Sequence, residues 1–163
     1  MRRAYNFKKG ISVVEVIVAS VVISLAVISI SVIYGNLISL SARNTAKVQA
    51  AFLLDEGIDA IKTMRGESWS NIASTTEGVP YYFIWSTDRW KATTTPASID
   101  GFFTRYFVVS SVNRDTTDFN ILTSTSTGVS DAGTKKVDIT VSWSDQGATS
   151  TRTTSMYIFN LYE

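Results

Sequence analysis

The chain contains no cysteine and no histidine. Without cysteine there is no disulfide framework, no thiol nucleophile and no thiolate metal ligand. Without histidine there is no Ser–His relay and no imidazole ligand. The missing cysteines leave the redox compartment open. Proline is nearly absent: Pro80 and Pro96 are its two copies, so no proline breaks a helix between Gly35 and Arg65. Charge is missing where it matters most. The run Ile11–Tyr34 carries one charged residue, Glu15. The net charge is +1, and no basic patch stands out, which gives no footing for direct nucleic-acid binding.

What is present divides the 163 residues into contrasting parts. Met1–Gly10 carries Arg2, Arg3, Lys8 and Lys9 and no acid. The 24 residues from Ile11 to Tyr34 would rise roughly 36 Å as a helix, enough to cross a hydrocarbon layer about 30 Å thick with some tilt. Cations before the span and none just after it place the N-terminus in the cytoplasm and the rest of the chain outside. A cleaved secretory signal fits less well. Its apolar core usually has about 7–15 residues and ends in a small-residue site, and Ser39-Leu40-Ser41 lies well beyond the span.

The helix is predicted to continue over 35–66. Ala51, Leu54, Ile58 and Ile61 recur at steps of three and four, while Asp55, Glu56, Asp59 and Lys62 fall off that stripe. The stripe reads as a face packed on its own domain, with a coiled-coil seam as the alternative. Ala42, Ala46, Ala50 and Ala51 would let a neighbouring helix approach closely. Arg65 and Gly66 supply a stop.

From 67 to 163 the pattern changes to alternation. Tyr81–Trp85, Phe102–Val112 and Lys136–Trp143 read as strands, the last with Val137, Ile139, Val141 and Trp143 on one face. A turn at Asp145-Gln146-Gly147 returns the chain as Arg152–Leu161, forming a hairpin. Thr93–Ser98 and Thr123–Gly133 read as loops. The expected fold is α+β: a long N-terminal helix, apolar then amphipathic, packed on an antiparallel sheet. Trp69, Trp85, Trp90 and Trp143 read as core or domain-edge packing, with an aromatic ligand cage as the alternative.

A carboxylate in a membrane span is expensive and marks a functional site by default. The stretch Lys8-Lys9-Gly10-Ile11-Ser12-Val13-Val14-Glu15-Val16 resembles the processing site of type IV prepilins and pseudopilins. The resemblance implies a leader 1–10 cut by a membrane peptidase after Gly10 and N-methylation of Ile11. It implies that Glu15 pairs with a neighbouring subunit's N-terminus. The physics agrees with that role. Cleavage would expose an amine that is mostly protonated at neutral pH and can compensate the carboxylate. The implied partners are other pilin subunits, the prepilin peptidase, an inner-membrane assembly platform and membrane lipid. The implied location is first the inner membrane and then a surface or periplasmic filament. No cofactor, metal or catalytic residue is implied.

Departures from main pilins narrow the resemblance. The family's helix-breaking Pro is absent, with Val32 at its position, and Ser24 replaces a Gly. The start Ser12-Val13-Val14-Glu15-Val16, and Leu54–Ile61 followed by Trp69, resemble PilV-type minor pilins and the type II secretion minor pseudopilin I. The expected function is therefore a structural minor subunit. The alternatives are a secretion pseudopilin or an uncleaved anchored surface adhesin. Asp115, Asp118 and Asp138 have no spacing that fixes an acid–base pair. Asn113, Asp115 and Asp118 form an oxygen-rich turn for which Ca²⁺ binding and Asx-turn chemistry are competing readings.

Overall fold

The computed structural model describes residues 10, 12–122, 128–145 and 147–161. The chain divides at Asn44/Thr45 into two compact units. One continuous helix, α1 (Val13–Glu67), contributes to both. In the first unit every α1 residue from Val13 to Leu37 is exposed.

The second unit is built on the later turns of α1. After it come a short helix α2 (Ser70–Ala73) and six strands: β1 (Tyr81–Ser86), β2 (Arg89–Thr93), β3 (Ser98–Ile99), β4 (Phe103–Arg114), β5 (Val129–Asp145) and β6 (Ala148–Phe159). The sheet order is β2-β1-β4-β5-β6, with β3 alongside β4, and every pairing is antiparallel. The expected α+β class, a long helix followed by an antiparallel sheet, is the observed one.

Alternation along β4 and β5 makes the core. Phe103, Phe107 and Val109 on β4, and Val137, Ile139, Val141 and Trp143 on β5, turn to one face and are buried. Phe83 from β1, Ile158 from β6 and Ile72 from α2 complete it. Each such side chain contributes on the order of 1.5–3 kcal/mol when fully buried. Ala50, Leu54, Gly57, Ala60, Ile61 and Met64 of α1 cover that face. The buried stripe therefore runs along smaller residues than expected. Leu54 and Ile61 lie on it, whereas Ala51 and Ile58 sit at its rim, half-buried. Small residues win the centre because the helix backbone comes very close to the sheet. A Cβ added at Gly57 would lie 3.0 Å from Ile139 Cγ2.

Among the described residues Arg105 is the one charged side chain in the core, 4% exposed on the inward face of β4. Its NH1 donates to the Leu53 carbonyl and to Glu56 Oε2, both at 2.8 Å. Its guanidinium lies over the rings of Phe83 (4.9 Å) and Trp90 (5.5 Å). Nε has no hydrogen-bond partner. A buried cation adds little net stability when paired, but it becomes costly once a partner is removed. Arg105 thus fixes α1 against β4 more than it strengthens the contact.

Several boundaries differ from the sequence expectation. Gly66 is helical, and α1 ends after Glu67 with Ser68 N–H bonded to the Met64 carbonyl. The backbone at Gly66 is not left-handed, so it is no glycine cap. Strand β2 was not expected. Its two-residue turn, Thr87-Asp88, has φ of 57° and 59° and is shaped like a type I′ hairpin without the usual glycine. The predicted loop 93–98 narrows accordingly, because Thr93 closes β2 and Ser98 opens β3. Val129–Gly133, expected as loop, belongs to β5. A bulge at Ser111/Val112 lets β4 run on and pair Arg114 with Val129. Hairpin β5–β6 forms as expected, with Asp145 opposite Ala148, although Gln146 lies outside the described residues. Trp143 is in the core and Trp69 and Trp90 pack against it, but Trp85 is 61% exposed.

Gly57→Leu should destabilise the folded chain by about 2 kcal/mol or more, since overpacking outweighs the gain in helix propensity. Gly66→Ala has open space around it and should stabilise by up to about 1 kcal/mol. Urea unfolding followed by circular dichroism measures both. Equal effects at the two glycines would contradict the close helix–sheet approach.

Candidate functional site

The N-terminal site begins at Gly10, which is exposed and outside any helix, with no atom near a would-be Cβ. Lys8, Lys9 and Ile11 lie outside the described residues. Helix α1 starts immediately afterwards. The Ser12 carbonyl accepts hydrogen bonds from the Glu15 N–H (2.9 Å) and the Val16 N–H (3.2 Å). Ser12 thus takes the N-cap place and Glu15 falls in the first turn.

Ser12-Val13-Val14-Glu15 has the spacing of a capping box, which would employ the Glu carboxylate on the backbone N–H of Ser12. Neither reciprocal side-chain bond is present. Glu15 is exposed, and its carboxylate makes no hydrogen bond or ion pair to any described residue. Its carboxylate therefore remains available. A carboxylate in the first turn is favoured by the helix dipole by typically 0.3–1 kcal/mol. A charged acid at a span's centre costs about 2.5–3.5 kcal/mol on insertion scales, and less near the end where Glu15 sits. The dipole offsets only part of any such cost, which leaves room for an external cation.

The turns after Glu15 are suited to lipid. By length and composition α1 is a candidate membrane span, with a mean hydropathy of 2.9 over its most apolar window and none of that window buried. Its serines do not spoil this. Ser20 donates to the Ile17 carbonyl, Ser24 to Ser20, Ser29 to Leu25 and Ser31 to Val27, all at 2.8–2.9 Å. Each hydroxyl proton is satisfied within the helix, as a hydrocarbon setting requires.

The oxygen-rich turn after β4 is organised differently from an ion cage. Asp115 Oδ1 accepts the Thr117 N–H at 2.7 Å, and Asp118 Oδ1 accepts the Asn120 N–H at 3.0 Å. The Thr117 N–H holds the Asp115 carboxyl below the usual carboxylate range. Both acids thus act as turn formers. No group of three His, Cys, Asp or Glu side chains among the described residues is placed to hold a metal. Asp138 stands apart on β5, paired with Val108 and bonded by Lys136 and Ser155.

A polar knot not apparent from the sequence closes this end of the sheet. Arg114 Nε meets Asp131 Oδ2 at 2.5 Å, and its NH1 donates to the Phe119 carbonyl. Thr134 Oγ1 donates to Asp131 Oδ2 at 2.6 Å, and the Gly133 N–H donates to Oδ1 at 3.0 Å. The Thr134 hydroxyl and then the Arg114 guanidinium hold the Asp131 carboxyl below its ordinary range.

No family model matches the chain, and no curated protein or solved structure matches it.

Because the folded Asp131 carboxyl titrates below its unfolded value, its contribution is present above about pH 4 and fades as the pH falls further. Asp131→Asn should therefore unfold more easily than the parent at neutral pH, with the difference shrinking towards acid. Denaturation midpoints across the acid range measure this. A gap that widens on acidification would contradict the assignment.

Proposed function

We propose that the chain is a structural minor subunit of a type IV pilus-like filament, cut after Gly10 and methylated on Ile11. The observation that carries this reading is the free carboxylate of Glu15, in the first turn of a 55-residue helix whose exposed early turns are apolar. The Ile11 amine does not exist before cleavage. Once formed, it supplies a cation that a neighbouring subunit's Glu15 can meet. In a low-dielectric array an unpaired charge is costly, so pairing selects one axial register. Cleavage thereby switches a membrane-anchored precursor into an assembling subunit. The uninterrupted helix through Val32 supports a minor rather than a main subunit, because no proline loosens the span.

The partners are further pilin or pseudopilin subunits, the prepilin peptidase, the inner-membrane platform and lipid. A type II secretion pseudopilin uses the same chemistry and is the second reading. The third is an uncleaved anchored adhesin, favoured by the placement of Glu15 near a helix end, where its carboxylate can reach water.

Glu15→Ala should insert in the membrane normally but enter filaments at least about tenfold less, the scale of one lost ion pair in a low-dielectric setting. Immunoblots of sheared filaments against membrane fractions measure the ratio. Wild-type incorporation of the variant would overturn the pairing.

A further inference from the structure

A concave cleft of about 360 Å³ opens between the end of α1, α2 and the edge strand β2. It lies within the second unit and is unrelated to the N-terminal site. Its size is that of a small-ligand pocket. Three charged residues line it, the acid Glu67 and the cations Arg89 and Lys91, all exposed. The side chains of Glu67 and Arg89 make no hydrogen bond or ion pair to a described residue, whereas Lys91 Nζ donates to Thr87 Oγ1 at 3.3 Å.

The remaining polar lining is mixed in hydrogen-bonding sense. Asn71 spends Nδ2 on the Met64 carbonyl, which leaves its amide oxygen to accept. Ser74 donates to the Ser70 carbonyl and keeps its lone pairs. The Tyr81 hydroxyl accepts the Thr76 N–H at 3.0 Å and keeps its proton to donate. Arg89 offers donors only, and Glu67 acceptors only. Trp90 and Tyr81 add aromatic surface, and Trp90 is held in place by Arg105 and Trp85.

Such a lining matches poorly with a simple cation, which Arg89 and Lys91 would repel, and a simple anion drawn by them would still meet the Glu67 carboxylate. It matches a ligand whose groups both donate and accept and whose body is apolar enough to lie on aromatic rings. We propose that this cleft binds a hexose-sized sugar ring, with ring hydroxyls bridging Glu67 and Arg89 and a C–H face against the Trp90–Tyr81 surface. The site makes the sheet domain a carbohydrate-binding module, whether or not the chain assembles into a filament.

The test uses the full chain in lauryldimethylamine oxide, a detergent without a sugar headgroup. Saturation-transfer NMR and tryptophan fluorescence are recorded with glucose, galactose, N-acetylglucosamine and glucuronate, and with inorganic phosphate. At least one sugar should bind saturably in the millimolar range. Glu67→Gln and Arg89→Gln should each weaken it about tenfold, the cost of one charged hydrogen bond. Phe102→Ala, outside the cleft, should leave it unchanged. Thermal melts confirm that the variants fold, which is expected because neither the Glu67 nor the Arg89 side chain bonds to another described residue. Absence of saturable sugar binding overturns the proposal. So does binding that both cleft variants retain, or phosphate binding as tight as that of every sugar.

Discussion

The close approach of α1 to the sheet at Gly57 is the constraint on which the globular unit depends. With a would-be Cβ 3.0 Å from Ile139 Cγ2, any side chain at this position would require the Ile139 methyl to give way by a few tenths of an ångström. Ala50 and Ala60 keep the neighbouring turns equally slim, and Leu54, Ile61 and Met64 fill the space on either side. The approach also places the Leu53 carbonyl and the Glu56 carboxylate within 2.8 Å of Arg105. A cation in an otherwise apolar seam penalises sliding, because any shift of the helix would strand it. Packing thus supplies the stability, and one buried charge supplies the register.

The same helix faces an opposite requirement in its first turns. There every apolar side chain is exposed, and four serine hydroxyls are satisfied within the helix. Serine hydroxyls return their protons to carbonyls three or four residues back. Glu15 is the exception, since it neither closes its capping box nor finds a cation within the described chain. The arrangement leaves one carboxylate unpaired beside an apolar stretch, which fits a cation delivered from another molecule.

Much of this was legible in the sequence, for physical reasons. The helix over 35–66 showed through its three-and-four spacing, and β5 through the alternation of Val137, Ile139, Val141 and Trp143. Glu15 stood out because charge is so rare around it. The features that escaped depend on contacts between distant residues. Strand β2 hid because Thr87-Asp88 turns without glycine and its five residues carry Arg89 and Lys91. Residues 129–133 looked like loop because they are polar, yet the Arg114–Asp131 knot draws them into the sheet. Arg105 offered no signal beyond a cation at an inward position of an alternating strand. Gly57 read as an indifferent helical residue until the strand facing it was known.

The account turns on whether the covalent chain is cut where the free carboxylate would need a cation. Intact and N-terminal mass spectrometry of the protein purified from its native host measures this directly. A mature chain beginning at Ile11, bearing one methyl group on its α-amine and lacking Met1–Gly10, is the predicted result. A chain that retains Met1–Gly10 in assembled filaments, or begins elsewhere, would contradict the account.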